Sequence, residues 1–172
     1  MKRIALSAGH YPAAPGARYN GIIEHYYCMD VLDICFNMYE RDADLYQHYE
    51  LFRVPTGTLR EKVKVVNDAS CDAAIELHLN AVSDPSAGGT LTLYSGTEGS
   101  LRLAEAIHGK LLQLGLRNRG IVIGYYRLDP KRPLDYFLRK TVCPAVILEP
   151  AFCSNPAEAE MLKENTLSLI HI

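Results

Sequence analysis

The feature that most limits how this chain can fold is a repeated alternation of short apolar segments with longer amphipathic ones. Six segments have the apolar, aromatic or β-branched content typical of strands: residues 3–7, 45–54, 73–79, 90–94, 121–126 (which also fit an extended loop) and 145–148. Helical spacing of apolar residues is found between them, in residues 23–41, 58–69, 103–114 and 134–140, and again from Asn155 onward. Strands that alternate with helices over 172 residues predict a single α/β domain, whose sheet is mostly parallel and has helices on both faces.

Three local patterns refine this prediction. In residues 23–41, apolar side chains recur at three- and four-residue steps and predict one buried stripe, made of Tyr27, Val31, Ile34, Cys35 and Met38. Thr58 and Glu61 have the spacing of a capping box, which predicts that a helix begins there. Residues 165–172 are apolar and uncapped, so we expect the C-terminal helix of the domain, which spans residues 1–172, to be truncated or atypical.

Charge and composition exclude several classes of protein. Eighteen Lys and Arg against 20 Asp and Glu give a net charge of -2, which argues against binding nucleic acid through its phosphates. The apolar part of the N-terminus is too short for a signal peptide and no long apolar run follows, so we expect synthesis in the cytoplasm without an export signal and no membrane insertion. Five scattered cysteines predict neither a disulfide framework nor a cysteine zinc site.

Polar residues follow three of the predicted strands where each strand ends. His10 follows the first strand, His78 and Asn80 lie at the end of the segment 73–79, and Glu149 follows the segment 145–148. Ligands of open α/β sheets bind beyond the carboxyl ends of the strands. Glu24, after the His10 loop, can reach the same edge.

Two imidazoles and two carboxylates at one edge are the components of a catalytic zinc site. Such a site has three protein ligands and an open position for water, and the remaining carboxylate can act as a base. A single histidine at a strand end is more often a packed structural residue, but the conjunction of four such residues favours the site.

The remaining reactive side chains are assigned other roles. His25 is turned about 100° from Glu24 on the predicted helix, so a surface position is expected. His48 and His108 lack acidic neighbours at ligand spacing, which favours solvent exposure or packing. Residues 125–127 (Tyr-Tyr-Arg) suit a loop that grips sugar or peptide as well as they suit plain packing. Cys153 lies near Glu149, where a Cys/His hydrolase is conceivable, but a small buried hydrophobe is favoured.

Several motifs then occur in an order that resembles a known family. They are Leu-Ser-Ala-Gly-His at residues 6–10, Gly16-Ala17 with Glu24, Glu-Leu-His-Leu-Asn-Ala at residues 76–81, Gly89-Thr90, Phe-Leu-Arg at residues 137–139, and Pro-Ala-Val-Ile-Leu-Glu-Pro-Ala-Phe-Cys-Ser-Asn at residues 144–155. Together they resemble the zinc-dependent N-acetylmuramoyl-L-alanine amidases of the amidase_3 type. The resemblance extends from residue 4 to about residue 162, nearly the whole chain.

This resemblance implies a role for each site residue. His10, Glu24 and His78 would hold one zinc ion, and Glu149 would be the catalytic carboxylate. The implied reaction is hydrolysis of the amide between the lactyl group of muramic acid and the first L-alanine of peptidoglycan. Asn80 and Arg139, within matching segments, are predicted to support the site or to position the substrate.

Two departures from the family pattern bear on the site. Glu76 stands where the family usually has a small residue, and on a strand it shares a face with His78 and Asn80. It is therefore predicted to support His78 from outside the ligand set. Residues 54–57 (Val-Pro-Thr-Gly) replace the family's usual Thr-Arg, which leaves that positioning role unassigned.

Three functions remain open at the level of the sequence. The first is a cell-wall amidase that acts after release or export, as a phage-type lysin would. The second is a zinc amidase or peptidase that acts on soluble muropeptides or on another amide. The third is a non-catalytic wall-binding module. The expected partner is peptidoglycan or a muropeptide, and the sequence does not predict an oligomeric state.

Overall fold

The computed structural model of the protein describes residues 1–124 and 135–164. Its strands are β1 (Lys2–Ala8), β2 (Arg18–Tyr19), β3 (Ile22–Ile23), β4 (Tyr49–Arg53), β5 (Ala73–Leu77), β6 (Thr90–Tyr94), β7 (Asn118–Ile123) and β8 (Ala145–Glu149). Its helices are α1 (Glu24–Tyr39), α2 (Ala43–His48), α3 (Leu59–Asp68), α4 (Glu98–Leu111), α5 (Tyr136–Lys140) and α6 (Pro156–Glu164), and a 3-10 turn (Leu112–Leu114) follows α4.

Six of these strands form one sheet in the order β4-β1-β5-β8-β6-β7. β4, β1, β5 and β8 run parallel, β6 is antiparallel to β8, and β7 is parallel to β6. The ends of β1, β5 and β8 therefore lie side by side at one edge, which we call the carboxyl edge. Leu91 is paired with Glu149, so β6 begins at this same edge. The predicted α/β fold with a mostly parallel sheet is confirmed.

Apolar side chains cover both faces of this sheet, which confirms the predicted layers. On one face, Val146 and Leu148 of β8 belong to a cluster that includes residues of α1, α4 and α6. On the other face, Ala145 and Ile147 belong to a cluster with residues of α3 and α5. Because successive strand residues point to opposite faces, the apolar run of β8 supplies both cores.

Local sequence signals explain where several helices begin. The side chain of Thr58 accepts a hydrogen bond from the backbone N–H of Glu61, and the carboxylate of Glu61 bonds the backbone of Thr58, so the predicted capping box is present at the start of α3. Asp42 accepts hydrogen bonds from the backbone N–H groups of Asp44 and Leu45. A helix therefore begins at Ala43, and its residues from Leu45 onward lie where the sequence predicted a strand.

Two sequence-based predictions need correction. The segment 45–54 was predicted as one strand, but its first residues belong to α2 and only Tyr49–Arg53 forms β4, because the Asp42 cap starts a helical turn. On α1, the fully buried residues are Glu24, His25, Cys28, Val31 and Leu32. Of the predicted stripe, Val31 is buried, and Tyr27 and Cys35 are partly buried and pack against the same core. The buried face of α1 is rotated because its first turn carries polar side chains into the protein.

Some predictions lie outside the described residues. These concern residues 125–127 and the C-terminal segment 165–172. Among the described helices, none combines the length and the apolar composition that crossing a bilayer requires.

Candidate functional site

His10, Glu24 and His78 come together at the carboxyl edge, as the sequence predicted. The Nε2 atom of His10 lies 3.1 Å from Oε2 of Glu24, and Nδ1 of His78 lies 2.9 Å from Oε1 of the same carboxylate. One ligand atom from each of the three residues lies within 4.8 Å of the other two. This is the spacing at which two imidazoles and a carboxylate can share one metal ion.

Two glycines make this close approach possible. A Cβ atom on Gly9 would lie 2.5 Å from Nδ1 of His78, and a Cβ on Gly16 would overlap Oε2 of Glu24. Gly16 also has a φ of 79°, a left-handed conformation that favours glycine. The Gly-His and Gly-Ala pairs of the sequence are therefore required by the packing of the ligand side chains.

Glu24 is held from several directions. It begins α1, it is buried, and its two oxygens accept hydrogen bonds from the backbone N–H groups of Ala17 and Leu79 at 2.9 and 3.1 Å. Burial raises the pKa of this carboxyl, but hydrogen bonds to the two imidazoles outweigh burial, and the pKa lies well below its usual range. Glu24 is therefore an anion in a fixed orientation.

His78 lies between two carboxylates. Its Nδ1 faces Glu24, while its Nε2 donates to Oε1 of Glu76 at 3.0 Å. Burial lowers the pKa of His78, but the hydrogen bonds and charges of the two carboxylates more than compensate and raise it to about 10. At this pKa both ring nitrogens carry a proton at neutral pH in the metal-free protein, so Nδ1 would release its proton on binding a metal, while the hydrogen bond from Nε2 to Glu76 keeps Nδ1 directed toward His10 and Glu24.

Glu76 is enclosed below this cluster. It is 1% exposed and accepts hydrogen bonds from the hydroxyl of Ser7 at 2.9 Å and from the ammonium of Lys62 at 3.3 Å. Burial raises the pKa of Glu76, but the hydrogen bond to His78 and the charges of His78 and Lys62 bring it below the usual value. Glu76 therefore remains ionised although it is almost fully buried.

Glu149 ends β8 beside the cluster. Its Oε2 accepts a hydrogen bond from the side-chain amide of Asn80 at 2.5 Å. Burial raises the pKa of Glu149, and the charge of Glu24 raises it further, which together outweigh the opposite effects of His78 and Arg119. The structure thus provides a half-buried carboxylate whose proton affinity is increased, next to the three potential ligands.

Asn80 and Arg139 were both predicted to support the site, and the structure places them differently. Asn80 contacts Glu149. Arg139 is exposed, and its guanidinium lies over the ring of Tyr136 at 5.6 Å from the ring centroid. It lines a depression with Thr97 and Pro144 at the opposite edge of the sheet, where β8 begins. The structure does not bring Arg139 together with the cluster.

The surface position predicted for His25 is wrong. The ring is 2% exposed, its Nδ1 donates to the carbonyl of Gly9 at 2.8 Å, and its Nε2 lies 3.3 Å from the hydroxyl of Thr56. A turn of 100° away from Glu24 directs the side chain under the loop that carries His10, because that loop covers the start of α1. His25 therefore supports the backbone at Gly9.

The other histidines and Cys153 agree with the roles predicted for them. His48 is exposed, although the helix α2 brings its Nε2 to 3.6 Å from Asp44, an acidic neighbour that the sequence analysis did not expect, and His108 is buried between Thr92 and Asn118. Cys153 is fully buried, and burial raises the pKa of its thiol to about 11. A thiol with this pKa is protonated at neutral pH, which argues against a nucleophilic role.

Sequence reasoning missed Lys62 and Ser7. Lys62 interrupts the apolar stripe Leu59, Val63, Val66 of α3, and a lysine in such a stripe is a detectable signal of a buried ion pair. Ser7 could not be identified in this way, because its contact with Glu76 depends on the pairing register of β1 with β5.

Comparison with known proteins identifies the fold and the family. A family profile described as N-acetylmuramoyl-L-alanine amidase (Amidase_3) matches residues 4–169. The N-acetylmuramoyl-L-alanine amidase LytC of Bacillus subtilis (strain 168) is 29% identical over 168 residues, which cover 94% of this chain and 31% of LytC. The chain thus spans less than a third of the length of this curated relative.

Two solved structures show the same architecture. The catalytic domain of the amidase CwlV from Bacillus (Paenibacillus) polymyxa var. colistinus superposes with a TM-score of 0.82 at 22% identity, covering 99% of this chain and 92% of that one. The catalytic domain of the endolysin CD27L, which targets Clostridia difficile, superposes with a TM-score of 0.78 at 23% identity, covering 99% and 93%.

Proposed function

The chain belongs to the Amidase_3 family of N-acetylmuramoyl-L-alanine amidases, and we propose that it hydrolyses the amide between N-acetylmuramic acid and L-alanine in peptidoglycan, with one zinc ion held by His10, Glu24 and His78. The observation that carries this proposal is the meeting of these three side chains within 4.8 Å. A single carboxylate bridges both imidazoles, and a second carboxylate with a raised pKa lies at the end of the adjacent strand.

The donor set fits zinc. Imidazole nitrogen and carboxylate oxygen are common zinc ligands, and a set of two histidines and one glutamate leaves a fourth position open, as catalytic zinc sites do. When bound, zinc supplies Lewis acidity, which polarises a carbonyl and makes hydroxide available near neutral pH. Glu24 contributes an anion that its two backbone donors already orient, so little reorganisation is needed on binding.

Glu149 is proposed to move the proton in this reaction. It would accept a proton from the attacking water while the water oxygen bonds to the lactyl carbonyl carbon. It would then return that proton to the alanine nitrogen as the carbon–nitrogen bond breaks. A carboxyl whose pKa is raised by burial is suited to both steps. Because its pKa is closer to neutral pH than usual, the same group can accept a proton and then release it.

Two further side chains are proposed to hold these groups in place. Asn80 donates to Oε2 of Glu149 and so fixes the carboxylate that handles the proton. Glu76 accepts from Nε2 of His78 and so selects Nδ1 as the nitrogen for the metal. These are positioning roles, and each has a distinct test below.

A digestion of wall sacculi tests the proposed function. We expect the protein to release peptides with new alanine amino termini in the presence of zinc, and a chelator to abolish the release while leaving the fold intact by circular dichroism. His78→Ala should lose both zinc and activity, whereas His48→Ala, an exposed control on α2, should retain both. If mass analysis shows a different bond cut, the assigned substrate is wrong, and if no bond is cut while the protein binds sacculi, the wall-binding alternative is favoured.

The same preparation distinguishes the remaining alternative. Activity on soluble muropeptides with none on intact sacculi would favour an enzyme of wall fragments over a wall-degrading lysin. We propose the intact wall as the substrate, reached after release or export, and this comparison tests it, because soluble muropeptides can carry the same muramoyl-alanine amide that gives the family its name.

A further inference from the structure

Lys62 is a buried cation that the proposed reaction does not use. It lies on α3 and is 2% exposed. A lysine is rarely buried to this extent unless a charged partner and further hydrogen bonds compensate for the loss of hydration. Its ammonium has two such partners, the carboxylate of Glu76 at 3.3 Å and the backbone carbonyl of Ala8.

These two partners lie on the two strands that deliver the histidine ligands. Ala8 ends β1, two residues before His10. Glu76 is on β5, two residues before His78, and its other oxygen bonds the ring of His78. One ammonium group therefore links the segment that carries His10 to the side chain that orients His78.

The two oxygens of Glu76 have different hydrogen-bond partners, and Lys62 is one of them. Oε2 faces Lys62 and the hydroxyl of Ser7, while Oε1 faces His78. The carboxylate therefore cannot rotate without losing a charged hydrogen bond in a buried environment, where such a loss is expensive. Removal of the ammonium leaves Oε2 with the hydroxyl of Ser7 as its neutral partner.

We propose that Lys62 is a positioning residue of the metal site. It fixes the rotamer of Glu76, and through Glu76 the direction in which Nδ1 of His78 faces, and it anchors the end of β1 ahead of His10. This inference rests on the metal binding proposed above and adds to it a residue on α3 that touches neither metal nor substrate. A lysine with only a structural role would contribute to folding stability and leave the affinity of the folded protein for zinc unchanged.

The test measures zinc affinity of the whole chain by competition with a chromophoric chelator. Lys62→Met keeps the length of the aliphatic stem and removes the charge, and we expect about 10-fold or greater loss of zinc affinity, as for residues that support metal ligands. Lys64→Met is the matched control, since Lys64 is an exposed lysine on the same helix that pairs with Asp68. It should bind zinc as the wild type does.

The visible spectrum of the cobalt-substituted protein gives a second readout. Cobalt absorption reports ligand geometry, so Lys62→Met should change the spectrum if His78 is reoriented, and Lys64→Met should not. The double variant Lys62→Met with Glu76→Gln should lose less affinity than the product of the two single losses, because both changes remove the Glu76 contact, while the contact with Ala8 is lost only with Lys62. Losses that multiply would show that Lys62 does not act through Glu76, and this would overturn the proposal.

A second variant of Lys62 keeps the test possible if Lys62→Met does not fold. Lys62→Gln then replaces it, because its polar amide suits the buried site, but its nitrogen is one bond short of the ammonium position and carries no charge, so about tenfold loss of zinc affinity is expected. Zinc affinity within twofold of wild type in either folded variant overturns the inference alone. If the wild type itself binds no zinc, the proposed function is wrong, and the inference is wrong with it.

Discussion

The carboxylates of Glu76, which is buried, and of Glu149, which is half-buried, lie on neighbouring strands, and their surroundings shift the pKa in opposite directions. Glu76 of β5 pairs in register with Ile147 of β8, so Glu149 lies two residues farther toward the carboxyl edge on the same face of the sheet. Glu76 is surrounded by donors, including the ammonium of Lys62. Glu149 is hydrogen-bonded to the neutral amide of Asn80.

The two environments displace the two pKa values in opposite directions. Burial raises the pKa of both carboxyls, but at Glu76 the hydrogen bond to His78 and the charge of Lys62 reverse the effect. At Glu149, burial and the nearby charge of Glu24 prevail. A carboxylate that stays ionised suits orientation of a neighbouring group, and one that can gain a proton suits acid–base catalysis. The predictions below test whether this division of roles is correct.

Substitution of Glu149 should have the largest effect on rate. Glu149→Gln keeps the shape of the side chain and removes the base, so we expect the turnover of sacculi to fall by about 10²- to 10⁴-fold while zinc affinity remains unchanged. Zinc content, turnover and sacculus pull-down measured on one preparation test this, and the variant should still bind peptidoglycan. Glu105→Gln, an exposed change on α4, is the control. Loss of zinc would make Glu149 a ligand, and unchanged turnover would remove it from the mechanism.

Substitution of Glu76 should show the opposite pattern. Glu76→Gln removes the anion that accepts from His78, so we expect zinc affinity to fall by about 10- to 100-fold. At saturating zinc, much of the turnover should return, because the proton-transfer group is intact. Titration of zinc against activity separates the two effects. A rate that stays low at saturating zinc, together with wild-type zinc affinity, would exchange the roles of the two glutamates.

Much of the site was predictable because it follows from strand patterning. Apolar runs at residues 73–79 and 145–148 identify buried strands, and the chain must place His78 and Glu149 where those runs end. Parallel strands bring their carboxyl ends to one edge, so strand patterning assigns His10, His78 and Glu149 to that edge, and Glu24 could reach it from the loop that follows His10. The assignment of Glu24 as a ligand came from the family resemblance.

The parts that could not be predicted depend on tertiary packing. His25 has a polar ring next to a glutamate on a helix, and helical geometry alone does not say that a loop covers that side. The contact of Ser7 with Glu76 requires the register of β1 with β5, which alternation does not fix between parallel strands. The helix at Ala43–His48 was missed because aromatic content outweighed the capping signal of Asp42.

Removal of the hydrogen bond to Glu149 should have a smaller effect than removal of its carboxylate. Asn80→Ala deletes the amide that donates to Oε2, and a hydrogen bond to a charged group of this kind corresponds to about a tenfold loss of turnover. Zinc affinity should not change, since Asn80 contacts Glu149 and not the cluster. Asn37→Ala, an exposed change on α1, is the control. Equal losses of zinc affinity and turnover would indicate that Asn80 supports the ligands instead.

The pH dependence of activity gives the smallest and most specific test. Below its pKa, Glu149 is protonated and cannot accept a proton from water, so activity rises with pH through that pKa. Since burial raises the pKa of Glu149, the acid limb of kcat/KM should lie above the usual glutamate value of about 4.3. Profiles are recorded at saturating zinc, with zinc content checked at each pH, so that metal loss is not mistaken for protonation.

Arg119 provides a way to assign that acid limb to Glu149. Phe152 is three residues beyond Glu149, and the guanidinium of Arg119 lies over its ring, 5.0 Å from the ring centroid. The positive charge of Arg119 opposes the rise of the Glu149 pKa. Arg119→Gln removes this charge, so the acid limb should move to higher pH, and added salt should reduce the difference between the variant and the wild type. Arg102→Gln, an exposed arginine paired with Glu98 on α4, should leave the limb in place. If the acid limb of the pH profile stays in place in Arg119→Gln, or moves to lower pH, another group carries the titration. Glu149 is then not distinguished from Glu76 by its proton affinity.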